Sequence, residues 1–255
     1  MMKRKSIYAV VLFLVLILPT CLLAEDHTSL FKETYSKAVA GDAVAQQDLG
    51  RLYFNGVGVP QDYKEAVRWY NKAAEQGLAK AQFYLGVMYS KGEGVPKDFK
   101  EAAKWYTKAA EQGHAEAQFC LGRMYFKGEG VPKDDKEAVR WYTQAAEQGL
   151  AGAQFNLGVM YFNGEGVTKD DREAVKWLSK AAEQGLAGAQ YNLGLIYAKG
   201  YGVPKDNVQA YKWLDLVAAQ GSEKAKELRD VVGKEMTPDQ VTEAQRLNRE
   251  FRIKH

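Results

Sequence analysis

The side chains able to carry chemistry are few and far apart. Two cysteines, Cys21 and Cys120, and three histidines, His27, His114 and His255, are all the soft ligands and near-neutral bases in the 255 residues. A thiol nucleophile needs a base beside it. His114 and Cys120 form the nearest such pair, six residues apart, and on a helix that spacing turns them onto poorly matched faces. Cys120 therefore reads as a half-buried structural thiol. There is no H-E-x-x-H, no paired Cys or His at metal spacing and no phosphate-binding glycine loop, so no catalytic residue, metal ligand or cofactor is assigned. Ser29-Leu30-Phe31-Lys32 fits the S-x-x-K pattern of a lysine-activated serine, but its companions S-D-N and K-T-G are absent. Ser29 is expected to cap a helix instead. Asp62 and Glu65 could pass for a general acid and base. The same spacing returns at Asp98 and Glu101, Asp134 and Glu137, Asp170 and Glu173, and, with Gln209, at Asp206. A carboxylate pair repeated in this way marks helix starts, as a capping pair does.

The elements that would hold these residues recur at a shift of 36. Gly50, Gly86, Gly122, Gly158 and Gly194 fall in register, as do Tyr53, Tyr89, Tyr125, Tyr161 and Tyr197 and all five tryptophans, Trp69, Trp105, Trp141, Trp177 and Trp213. Within a unit, Ala45, Leu49, Leu52 and Tyr53 recur at spacings of three and four, the apolar stripe of a first helix, A. Gly56, Gly58 and Pro60 then end it: the glycines suit a left-handed helix end and a tight turn, and proline cannot continue the helix. A second helix, B, presents Ala66, Trp69, Tyr70, Ala73 and Ala74 on one face and stops at Gly77. Small residues at contacting positions allow close helix approach, and the tryptophans are expected to fill the space between neighbouring units.

The pattern A-x-x-x-L-G-x-x-Y-x-x-G-x-G-V-x-x-D-x-x-x-A-x-x-W-x-x-x-A-A-x-x-G resembles the Sel1-like repeat, a relative of the tetratricopeptide repeat. Departures are small: Thr168 stands for the loop proline, and Leu178 and Leu214 for the tyrosine after Trp. The resemblance implies an all-α fold, a right-handed α-solenoid of five 36-residue helix-turn-helix repeats with terminal capping helices. The expected division is 25–41 for an N-terminal capping half-repeat, 42–77, 78–113, 114–149, 150–185 and 186–221 for the repeats, and 222–255 for the C-terminal caps. Both ends carry helical signals: Ser29 to Ala40 closed by Gly41, Ser222 to Val232, and Thr237-Pro238-Asp239-Gln240 leading into the stripe Val241, Ala244, Leu247 and Phe251.

Residues 1–24 read as an export signal. Lys3, Arg4 and Lys5 precede an apolar run from Ile7 to Leu18, then Pro19 and small residues ending at Ala24. Cleavage after Ala24 would place the mature chain in the periplasm or outside the cell. The alternatives are a lipoprotein signal with Cys21 at the mature N-terminus and an uncleaved anchor. Without the signal, 32 basic residues balance 32 acidic ones, so the charge excludes a phosphate-binding footprint and no nucleic acid is expected. With Cys120 alone no internal disulfide can form.

By resemblance, the function is that of an exported protein–protein interaction scaffold. The alternatives are a cell-wall or glycan-binding module, and weak penicillin-binding or β-lactamase-like activity as in the cysteine-rich branch of the family, whose disulfides have no equivalent here. In tetratricopeptide repeats helix A lines the concave groove. Aligning on L-G-x-x-Y places six basic residues there, Arg51, Lys80, Lys91, Arg123, Lys127 and Lys199, against one acidic, Glu116, an excess of +5. Phe54, Phe126 and Phe162 alternate with Ser90 and Ala198 at one register and are the expected aromatic contacts, whereas Phe83, Phe119, Phe155 and Tyr191 are expected to pack between repeats. The candidate partner-binding groove is therefore Arg51, Phe54, Lys91, Arg123, Phe126, Lys127, Phe162 and Lys199. It suits a protein or peptide segment bearing acidic and apolar residues, or a free C-terminal carboxylate.

Overall fold

The computed structural model describes residues 27–254, and the regular structure in that span is entirely helical. The expected signal and Cys21 lie outside the described residues. The first helix, α1, runs over 27–39. Five A/B pairs follow: α2 (Ala43–Asn55) with α3 (Tyr63–Glu75), α4 (Ala79–Lys91) with α5 (Phe99–Glu111), α6 (Ala115–Lys127) with α7 (Asp135–Glu147), α8 (Ala151–Asn163) with α9 (Asp171–Glu183), and α10 (Ala187–Lys199) with α11 (Asn207–Ala218). Two capping helices, α12 (Glu223–Gly233) and α13 (Pro238–Lys254), pack on α11. The chain divides after Gln112 into two compact units, the first containing α1 to α5 and the second α6 to α13.

Each B helix begins at an aspartate whose carboxylate accepts from two backbone N–H groups, as Asp134 does from Lys136 and Glu137. The reciprocal half of the expected capping pair does not form. The Asp134 N–H already donates to the carbonyl of Tyr125 at 2.9 Å, and the Glu137 carboxylate instead holds Arg140 at 2.7 Å. At the C-terminal cap the full box is made: Thr237 N–H donates to Gln240 and Gln240 N–H to Thr237 Oγ1. Ser29 departs from expectation, since the helix is already under way at residue 27 and Ser29 lies exposed within it. B helices end in a paired closure, in which Gly149 N–H reaches Ala146 and Leu150 N–H reaches Ala145, the pattern that satisfies the last carbonyls of a helix.

Within each repeat the A helix glycine faces a large B helix side chain. A Cβ on Gly122 would lie 2.8 Å from the Tyr142 ring, and one on Gly158 2.8 Å from Leu178. Four of the five tryptophans pack on the core of the element before their repeat. Trp69 belongs to the core around Ala38, Leu49 and Leu52, Trp177 to that of α7 and α8, and Trp213 to that of α9 and α10. Trp105 is half-buried and packs on the α3 and α4 core.

A ladder of buried glutamines adds a polar link between repeats. Gln154 Nε2 donates to the carbonyl of Ala146 in the preceding B helix, while its Oε1 accepts from Gln184 at the end of its own B helix. Gln46, Gln82 and Gln190 repeat both bonds in their own repeats. Both ends of each amide are satisfied, which is the condition for burying it without penalty.

Candidate functional site

In the second unit, successive A helices form the walls of two adjacent clefts. The first, ≈ 320 Å³, lies between α6 and α8: Arg123, Phe126 and Lys127 line one side, Phe155, Asn156 and Val159 the other, with Tyr142 and Glu165 completing it. The second, ≈ 400 Å³, lies between α8 and α10. Val159, Phe162 and Asn163 face Asn192, Leu195 and Lys199, with Leu178, Ile196 and Tyr201 completing the lining. Val159 is shared by both.

The apolar floor follows from the repeat. Tyr142 and Leu178, opposite their glycines, are almost fully buried, so each cleft ends on the B helix. Burial pushes the Tyr142 phenol up to about 12, opposed by the Asn156 hydrogen bond and by the Arg123 charge. It therefore stays neutral and presents the first cleft with an uncharged wall.

The structure brings Arg123, Phe126 and Lys127 together in the first cleft, and Phe162 and Lys199 in the second. Arg51, Phe54 and Lys91 belong to the first unit and line neither. There Arg51 pairs with Asp48 at 3.4 Å, Lys91 with Glu93 at 3.6 Å, and Phe54 packs on Tyr63 with ring centroids 5.2 Å apart. The candidate aromatics are half-buried, not free: Lys133 lies over Phe126 and Lys169 over Phe162.

The excess of +5 read from helix A overstates the field at the site. Lys127 also has a turn carboxylate, Glu129, at 3.8 Å, and Glu165 lines the first cleft. These carboxylates sit just past the helix, outside the positions that were summed. Phe119 does pack between repeats: its ring lies 3.2 Å from where a Cβ of Gly152 would be. Phe155 meets Gly188 in the same way at 3.3 Å and also lines a cleft.

His114 Nδ1 caps α6 by accepting from Ala117 N–H at 3.4 Å, which fits a structural role. No group of His, Cys, Asp and Glu able to hold a metal ion occurs among the described residues. No helix among them is long and apolar enough to cross a membrane.

Sequence reasoning missed Tyr201, Asn156, Asn192 and Glu165. Tyr201 had a visible signal, because the same register carries Glu93, Glu129 and Glu165 in the three preceding repeats.

The Sel1 repeat pattern matches residues 43–78, 79–114, 115–150, 151–186 and 187–222. The chain belongs to the Sel1 repeat family. Sel1 repeat proteins generally mediate protein–protein interaction and are typically non-enzymatic scaffolds. Among solved structures, the chain is similar to a Sel1 repeat protein from Oxalobacter formigenes, with 41% identity over 79% of this chain and 80% of that one and a TM-score of 0.72. It is also similar to c5321, a protective antigen present in uropathogenic Escherichia coli strains. Identity there is 34% and the TM-score 0.58, with 88% of this chain covering 56% of the longer protein. No curated protein matches. This chain is thus a helical solenoid of five Sel1 repeats, and its fold matches that of its structural relatives.

Proposed function

We propose that this Sel1 repeat chain is an exported interaction scaffold that grips a partner segment along the A helices of its second unit. The observation that carries the reading is the pair of contiguous clefts, apolar in their depths and bordered by Arg123, Lys127 and Lys199. Apolar anchors in a preformed cleft supply affinity, and charges at the border select and orient the partner. A segment carrying apolar and acidic residues, or a free C-terminal carboxylate, complements that surface. Export rests on the basic start and apolar run of residues 1–24, and the likeness to a protective antigen accords with it.

The test is crosslinking in the producing cell followed by binding of the captured partner to purified variants. Arg123→Glu with Lys127→Glu, and Phe126→Ala separately, should each weaken binding while leaving the helical melt intact. Unchanged binding in folded variants would remove the clefts as the site and point to the B helix face or the loops.

A further inference from the structure

The last residue of helix A is a lysine in three repeats, Lys91, Lys127 and Lys199, and the register two residues later is Glu93, Glu129 and, in the fifth repeat, Tyr201. The consequences are visible side by side. Lys91 has Glu93 at 3.6 Å and Lys127 has Glu129 at 3.8 Å. Lys199, exposed at the end of α10, makes no ion pair among the described residues. Its charge acts on the carboxylate of Glu235, which is already held by Lys205 at 2.7 Å.

The residue that replaced the carboxylate is itself unusual. Tyr201 is 45% exposed, among the few large apolar side chains so placed, and its ring stands edge-on to Phe162 at 5.7 Å. The two rings form one wall of the second cleft, over a floor of Leu178 and Ile196 at 1% and 3% exposure. No acidic residue lines this cleft, in contrast to the first. Where the earlier repeats carry a carboxylate, this border thus presents a partly exposed aromatic ring beside a lysine with no ion pair among the described residues.

Resting on the scaffold reading, the geometry points to a specific occupant: the second cleft takes one aromatic or large aliphatic side chain of a partner peptide, and Lys199 pairs with a carboxylate carried on a neighbouring residue of that peptide. The volume of ≈ 400 Å³ admits such a side chain. The Asn163 and Asn192 amides at the lining offer donors and acceptors for the peptide backbone. Consecutive Cα atoms lie about 3.8 Å apart, which puts the carboxylate within about two residues of the anchor. A peptide and not a small molecule fits because the first cleft continues directly across Val159.

The experiment selects a displayed random-peptide library on the full chain and then measures the enriched peptides on variants. Enriched sequences should share an aromatic or large aliphatic residue flanked by Asp or Glu. Tyr201→Glu restores the residue found at Glu93, Glu129 and Glu165, so it is compatible with the fold. It should nevertheless weaken the selected peptides about tenfold, by removing the wall and neutralising Lys199. Selection on Lys199→Glu should switch the flanking charge to Lys or Arg while keeping the apolar anchor, an outcome that a purely structural lysine would not produce. Peptides indifferent to Tyr201→Glu and Lys199→Glu overturn the inference. If those peptides are lost instead on Arg123→Glu with Lys127→Glu, the scaffold reading stands without it. Enrichment of no peptide would overturn both.

Discussion

Gly122→Ala isolates the contact that sets helix spacing inside a repeat. A methyl group on Gly122 would lie 2.8 Å from Cδ1 and 2.9 Å from Cε1 of Tyr142, well inside the ~3.5 Å of favourable carbon contact. The ring is held in place beside the cleft that it helps to line. Tyr142 is 1% exposed, Phe119 stands at 5.8 Å, and the phenol is tied to Asn156. Two effects then compete. Alanine favours a helix interior over glycine by about 0.8 to 1 kcal/mol, whereas overpacking a closed core costs about 1 to 3 kcal/mol. A rigid buried ring places the cost at the upper end, so the expected net loss is about 1 to 2 kcal/mol, or about 2 to 8 °C in melting temperature for a chain of this size. Urea and thermal melts followed by circular dichroism read it, using transition midpoints because repeat arrays need not unfold in one step. Tyr142→Ala alone should be severe, and combining it with Gly122→Ala should cost less than the sum, since the clash is gone. If Gly122→Ala instead raised the midpoint by the propensity increment, the close approach of α6 and α7 would not depend on this glycine.

Gln154→Leu should cost about 1 kcal/mol in the same melts, because it removes the amide bond to the Ala146 carbonyl and the one accepted from Gln184; a neutral result would show that the ladder is dispensable. Above about pH 10 stability should fall as pH rises toward 12: the unfolded chain releases a phenolic proton near 10, while folded Tyr142, pushed up to about 12, retains it. Tyr142→Phe should make that fall shallower and leave the share of the Tyr70 phenol, which burial also pushes up, as read from urea midpoints across the alkaline range. Mass spectrometry of the protein recovered from the producing cell should find a chain starting near Glu25; a lipid-bearing start at Cys21 or an intact N-terminus would refute the export signal as drawn.

Helix identity was legible because its causes are local. Spacings of three and four, an aspartate before each B helix and glycines where φ is positive act within a few residues, and 36-residue repetition multiplies each signal fivefold. The tryptophans could be assigned to the joints for the same reason, since a Trp at one register of every unit marks a recurring space to be filled. The groove was legible only in outline. Aligning helix A picked out Arg123, Phe126 and Lys127, which do meet in one cleft, but it could not show that Lys91 and Lys127 have carboxylates within 4 Å in the turns that follow.

What the tertiary structure decided was partnership across distance. The five glutamines of helix A stand in plain register in the sequence, yet nothing local says that Gln154 serves Ala146 and Gln184, eight and thirty residues away. Likewise, Tyr201 is a visible departure from Glu93, Glu129 and Glu165, but its meeting with Phe162 and its place on a cleft wall depend on how α8 and α10 pack. Periodicity and capping are set by residues within one or two turns of each other, so the sequence alone determines them. Which side chains close a cleft, and which charges remain unpaired at its edge, depends on helix separations and orientations summed over many contacts, and these exist only once the helices have packed.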